Sequence, residues 1–140
     1  MKLEIRPYDG VGPIRLGMSR EEVRQALPVP AERFQKFPGA PPIDRVRNPS
    51  LMVHYDHEDI CEAIEVAQPG EPTLMGQELL GRSFDHLRAW FNEQDPHLHV
   101  DGDGLISKKL GVGLYAPAAP NGPHSLVEGV IVFRRGYYDH

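Results

Sequence analysis

Apolar residues recur at helical spacing in two short stretches of this chain. They are Val23, Ala26 and Leu27 in the first stretch, and Phe84, Leu87, Trp90 and Phe91 in the second. Ser19 is a favourable N-cap, and Glu22 three residues later predicts a capping box. Pro28 and Pro30 end the first helix, because proline cannot continue a helix. Ser83 is the matching N-cap of the second helix.

Short runs rich in β-branched and aromatic residues, bounded by turn residues, predict strands. The predicted strands are Leu3 to Pro7, Leu51 to Asp56, Ile60 to Ala67, His97 to Val100, Leu105 to Lys109, Val112 to Ala116 and Leu126 to Arg134. Residues 57–59 predict a hairpin turn. The Asp-Gly pairs in residues 101–104 predict a tighter hairpin turn. Residues 37–42 and 117–124 are predicted loops.

The two predicted helices belong to matching segments of the sequence. Leu16-Gly17-Met18-Ser19 matches Leu80-Gly81-Arg82-Ser83, and Glu62 to Val66 matches Glu128 to Val132. The order of matches predicts one domain over 1–140, with repeats at about 11–68 and 75–135 and a Pro/Gly hinge at about 67–73. We therefore predict an α+β fold of two tandem helix-plus-antiparallel-strand repeats, which share one sheet with both helices on one face.

Composition narrows the class of protein. The 140 residues carry a formal net charge of −5, and the basic residues form pairs rather than a stripe, so nucleic acid is not an expected ligand. The lone cysteine, Cys61, has no partner for an internal disulfide and is expected to be buried. The chain contains neither an export signal nor a long apolar run, which predicts a cytoplasmic protein that does not span a membrane.

A family resemblance adds to this interpretation. Leu16-Gly17-Met18-Ser19, followed by Val23, Leu27 and Pro30, resembles the Gly-Met-Thr signature of the SmpA/OmlA (BamE-like) lipoproteins of outer-membrane assembly. The tandem arrangement is similar to the β-lactamase-inhibitory-protein architecture. This resemblance implies a sheet whose open face contacts other proteins, as a bacterial immunity protein contacts a toxin. Pro28 replaces the family's glycine, and a lipoprotein signal is missing.

The histidines offer an alternative function. His97 and His99 alternate on a predicted strand, so both rings share a face and could hold a metal ion with a following aspartate. His54 is a further candidate ligand. This pattern would define a metal-dependent enzyme or a small-molecule binder. The competing interpretation is a polar strand that leads into a turn.

The leading hypothesis is a non-enzymatic protein-binding domain without a cofactor, whose partner is a protein, with a toxin as the candidate. Tyrosines are common anchors of protein interfaces, because the ring is apolar and the hydroxyl is polar. We predict that Tyr55, Glu65 and Tyr115 bind the partner through the open sheet face. Tyr137 and Tyr138 are further candidate anchors.

Overall fold

Strands make up most of the fold. The computed structural model describes residues 2–119 and 125–138, and within them lie two helices, α1 (Arg20–Ala26) and α2 (Phe84–Gln94). The strands are β1 (Lys2–Arg6), β2 (Gly10–Val11), β3 (Ile14–Arg15), β4 (Glu32–Phe34), β5 (Ile43–Arg47), β6 (Ser50–Tyr55), β7 (Cys61–Ala67), β8 (Glu71–Leu74), β9 (Gln77–Glu78), β10 (His99–Asp101), β11 (Gly104–Ser107), β12 (Val112–Tyr115) and β13 (Gly129–Phe133).

The strands form two sheets instead of the single predicted one. The large sheet is antiparallel, in the order β10-β11-β12-β13-β7-β6-β5-β4, and the small sheet has the order β3-β2-β1-β8-β9. The small sheet exists because β1 pairs in parallel with β8, with Leu3 opposite Pro72. The predicted α+β class, with helix-plus-strand repeats on one shared sheet and the helices packed on one face, is therefore wrong.

The two faces of the large sheet differ in burial. On β6, Leu51, Val53 and Tyr55 are buried, whereas the alternate residues Met52 and His54 are only partly buried. Successive side chains of a strand point to opposite faces, so this pattern defines a covered face and an open face. The open face carries the cross-strand row Arg45, Met52, Glu65, Ile131, Gly113, Ile106 and His99.

The core lies between the covered face, the small sheet and the two helices. Leu3 of the small sheet, Phe91 of α2 and Ile64 of the large sheet belong to one cluster of buried apolar residues. An added Cβ at Gly70 would lie 2.9 Å from Val66 and 3.5 Å from Leu3, so this glycine lets the two sheets approach closely. One apolar cluster therefore joins both sheets.

Both helices begin at the predicted serines. The Glu22 N–H donates to Ser19 Oγ at 3.2 Å, and the Ser19 N–H donates to Glu22 Oε1 at 3.0 Å, which completes the capping box. Ser83 Oγ accepts from the His86 N–H at 3.4 Å. These local predictions are confirmed.

The start of each helix is bound in the same way to the beginning of a central strand or to the residues just before it. The Gly17 N–H donates to the Cys61 carbonyl at 3.0 Å, and the Gly81 N–H donates to the Val127 carbonyl at 2.9 Å. Isolated bridges join Ser19 to Ile60 and Ser83 to Leu126. The helix starts therefore have equivalent surroundings, while the repeat boundaries themselves stay a prediction.

Most of the predicted turns are found. Residues 56–60 connect β6 to β7, and Gly102 and Asp103 connect β10 to β11. Strand β8 begins within the segment predicted as a hinge, at Glu71, and extends to Leu74. Of the predicted loop at 117–124, residues 120–124 lie outside the described residues. Neither described helix has the length and apolar character needed to cross a membrane.

Candidate functional site on the open face

A groove of about 540 Å³ lies on the open face of the large sheet. Its lining includes Met52, Glu65, Ile106, Tyr115 and Ile131, which come from five different strands. The register places these side chains on one face, because each residue pairs with a neighbour of the same face. The sheet therefore builds most of the groove, and Asp103, Glu128 and Tyr138 from the segments beside its strands complete the lining.

Because several residues on the floor of the groove are glycines, few side chains stand there. Gly104 and Gly129 are the cross-strand partners of Tyr115, and Gly113 lies between Ile106 and Ile131. A glycine in a strand leaves space where a side chain would otherwise stand. These glycines therefore leave the Tyr115 ring prominent on the open face, where 52% of the residue is exposed.

One end of the open face is closed by aromatic rings. Phe133 stacks on Tyr137 with ring centres 5.9 Å apart, and it contacts Tyr138 edge-on at 4.8 Å. Tyr8 reaches the same cluster from the turn after β1, with its centre 6.2 Å from that of Phe133. Burial raises the pKa of Tyr137 to about 12. The C-terminal tyrosines thus cover part of a face that the sequence predicted to be free.

A histidine–glutamate pair lies on the open face. Nε2 of His54 is 2.8 Å from Oε2 of Glu65, and the two residues occupy adjacent strands. The hydrogen bond to His54 lowers the pKa of Glu65 and outweighs the opposing effect of burial. Glu65 is thus held in the charged form at neutral pH.

The end of the groove that lies away from the aromatic rings is acidic. Asp101, Asp103 and Glu128 line it, and all three residues are exposed. A hydrogen bond from the protonated Asp103 carboxyl group to the Asp101 carboxylate raises the pKa of Asp103, as does the like charge of Asp101. Within the described lining there are four carboxylates and no lysine, arginine or histidine. The groove therefore combines an apolar floor with negative charge.

Tyr55 does not belong to this groove, so its prediction as an open-face residue is wrong. It is 4% exposed and lies on the covered face, where its hydroxyl donates to Asp44 at 2.8 Å. Arg24 donates two hydrogen bonds to Asp44, and the Arg20 guanidinium lies 4.0 Å from the Tyr55 ring centre. Tyr55 therefore helps to attach α1 to the sheet.

Asp44 is charged although it is fully buried. Burial raises its pKa, but the hydrogen bonds from Arg24 and Tyr55 outweigh burial and leave the pKa below its ordinary value. Burial and the Asp44 carboxylate together raise the pKa of Tyr55 far above its ordinary range. The network is thus a structural ion pair with a neutral tyrosine.

The structure does not bring the predicted metal ligands together. His54 lies on β6 and His99 on β10, which are separated by four strands, so five strand spacings place them roughly 24 Å apart along the sheet. His97 is exposed and precedes β10. Within residues 2–119 and 125–138, no three His, Cys, Asp or Glu side chains are placed to hold a metal ion.

Cys61 is buried, as predicted. Burial raises the pKa of its thiol to about 12, so the sulfur stays protonated at neutral pH. A protonated, buried thiol is a poor nucleophile. Cys61 therefore packs as a small apolar side chain in the core between the helices and the sheet.

Sequence reasoning missed the glycines and the acidic end of the groove. Gly113 alternates with Val112 and Leu114, a pattern in which one face of β12 is apolar and the other carries only Gly113 and Tyr115. That alternation could have indicated a hollow on the open face.

Comparisons with protein-family models, with curated proteins and with solved structures give no match for this chain.

Proposed function

We propose that this protein is a cytoplasmic, non-enzymatic protein-binding domain of the immunity or inhibitor type, and that the open-face groove binds its partner. The observation that carries the proposal is the groove itself. It joins partly exposed apolar side chains to an exposed tyrosine on the face of the sheet that faces away from the core. Glu65 and Tyr115, both predicted partner contacts, line it.

The groove offers the two kinds of surface that protein interfaces use. Met52, Ile106 and Ile131 are only partly buried. A partner that covers them therefore gains hydrophobic free energy of about 25 cal/mol for each Å² of apolar surface removed from water. Tyr115 adds a large ring with few rotatable bonds, and such side chains are frequent hot spots. A sheet also holds these residues in place before binding, which lowers the entropic cost of association.

Inhibition by direct binding fits the chemistry of the chain. A protein that neutralises a target by covering a surface needs shape and charge but no reacting group. The groove supplies charge through its carboxylates, whereas the buried thiol of Cys61 and the paired His54 are poorly suited to attack a substrate. This reasoning supports the immunity or inhibitor type.

Photocrosslinking in the cells of origin tests the proposal. A benzoylphenylalanine placed at Tyr115 lies in the groove, whereas one placed at Met75 is exposed in the turn between β8 and β9 of the small sheet. We expect one discrete adduct from position 115 and none from position 75. The adducted protein should be a toxin or enzyme whose activity falls when the purified domain is added in equal amount. Adducts from both positions, or from neither, would contradict the proposal.

A small-molecule binder is the second candidate. The groove volume of about 540 Å³ falls within the range of about 300–1,000 Å³ that is usual for ligand sites. Such a ligand would contact Tyr115 and Ile131 rather than the predicted histidines His97 and His99, which do not line the groove. A metabolite that raises the melting temperature of the protein, and fails to do so in Gly113→Leu, would favour this candidate.

A further inference from the structure

Negative charge is concentrated at one end of the groove. The cross-strand row there is Asp101, Gly104, Tyr115 and Gly129, and Glu128 directly precedes Gly129. Both paired neighbours of Tyr115 are thus glycines. The Tyr115 ring therefore has no cross-strand side chain beside it, and Asp101, Asp103 and Glu128 line the same end of the groove.

The carboxylates at this end are not neutralised within the described part of the chain. Asp101, Asp103 and Glu128 form no salt bridge with any described residue, whereas Glu65 is paired with His54. The hydrogen bonds that Asp101 accepts there come from Asp103, whose N–H donates to Asp101 Oδ1 at 3.1 Å. A ligand that meets this end therefore encounters excess negative charge.

A guanidinium group matches this arrangement. Arginine stacks on aromatic rings and forms charge-assisted hydrogen bonds with carboxylates, and its planar fork suits both contacts. The neighbouring floor, with Ile106 and Ile131, is apolar and suits the side chains that flank an arginine in a peptide. An acidic peptide would instead meet like charge.

Given the protein-binding role proposed above, we infer that the groove takes a basic segment of the partner, with an arginine side chain stacked on Tyr115 and paired with Asp101, Asp103 and Glu128. The charge complementarity sets the class of partner. The apolar floor sets the sequence type, in which aliphatic residues flank the arginine.

A peptide titration tests this inference without the natural partner. The probe is the blocked peptide acetyl-Ala-Leu-Arg-Leu-Ala-amide, and its control carries citrulline, which has the same shape without the charge. Amide NMR shifts of the full chain report binding and position. We expect shifts centred on Gly104, Tyr115 and Gly129, and about tenfold weaker binding of the citrulline peptide, equivalent to about 1.4 kcal/mol.

Matched variants separate the groove from overall charge. Asp101→Asn/Asp103→Asn removes two charges at the groove but keeps the oxygen that accepts the turn hydrogen bond. Glu21→Gln/Glu93→Gln removes two charges from exposed helix positions. We expect about tenfold weaker arginine-peptide binding in the first variant only. Equal losses in both variants, or equal affinity for the two peptides, would overturn the inference.

The two experiments fail independently. If photocrosslinking identifies a partner but the arginine peptide shows no preference over citrulline, the basic-segment inference is wrong and the protein-binding proposal stands. If the arginine peptide binds at Tyr115 but no adduct forms in cells, the groove chemistry is correct and the protein-binding role is contradicted.

Discussion

Tyr55 donates a hydrogen bond of 2.8 Å to Asp44, and both residues are buried between α1 and the large sheet. Arg24 approaches the same carboxylate at 2.9 and 3.1 Å. A buried carboxylate that loses its partners, or arginines that lose their carboxylate, carry a large desolvation cost. The network therefore couples the position of α1 to the sheet that carries the groove.

Replacement of Asp44 tests this coupling. We expect Asp44→Ala to lower the free energy of unfolding by about 3–5 kcal/mol, because Arg24 and Arg20 lose a buried counter-charge. Urea unfolding followed by circular dichroism measures the change. Glu32→Ala is the control, since Glu32 is half exposed in its pairs with Arg45 and Arg47 and should cost about 0–1 kcal/mol. Similar losses in both variants would contradict the assignment.

The pH dependence of stability follows from the pKa of Asp44. Its folded pKa lies below the unfolded value of about 3.9, so the stabilisation is complete above that value and is lost as pH falls through the folded pKa. The destabilisation caused by Asp44→Asn should therefore be full at pH 7 and shrink below about pH 4. Unfolding curves from pH 7 to pH 2 measure it. A difference that is constant with pH would show that the charge does not matter.

Two glycines on the open face should respond oppositely to alanine. An added Cβ at Gly104 would lie 2.2 Å from the Leu114 carbonyl oxygen, so Gly104→Ala should cost about 1–3 kcal/mol. An added Cβ at Gly129 would meet Tyr115 at 3.7 Å, an ordinary contact, and Gly129→Ala should gain about 0.4–1 kcal/mol by restricting the unfolded chain. Thermal unfolding of both variants checks the prediction, and equal signs would refute it.

His54 should control the titration of Glu65. The hydrogen bond from His54 lowers the pKa of Glu65, so His54→Ala should raise that pKa. Carbon-13 NMR of the glutamate side chains measures the shift directly. His57→Ala is the matched control, because His57 is exposed in the turn between β6 and β7 and does not contact Glu65. An unchanged Glu65 pKa in His54→Ala would show that His54 does not stabilise the Glu65 carboxylate.

Local features of the fold were predictable because neighbouring residues decide them. The capping box needs only Ser19 and Glu22, three residues apart. The β10–β11 hairpin needs only the turn between Asp101 and Gly104. The alternation along β6 also indicates the correct face for Tyr55, because Tyr55 lies on the same side of the strand as the apolar Leu51 and Val53. The prediction of Tyr55 as an interface residue followed from the apolar ring and polar hydroxyl of tyrosine and not from this alternation.

The sequence by itself determined the capped helix starts, the hairpins and the burial of Cys61. Only the tertiary structure decided that β1 pairs with β8, which makes a second sheet, and that Gly104, Tyr115 and Asp101 share one row of the open face. The physical reason is range. Caps and turns depend on contacts between near neighbours in sequence, whereas strand pairing joins segments that are tens of residues apart and depends on the packing of the whole core.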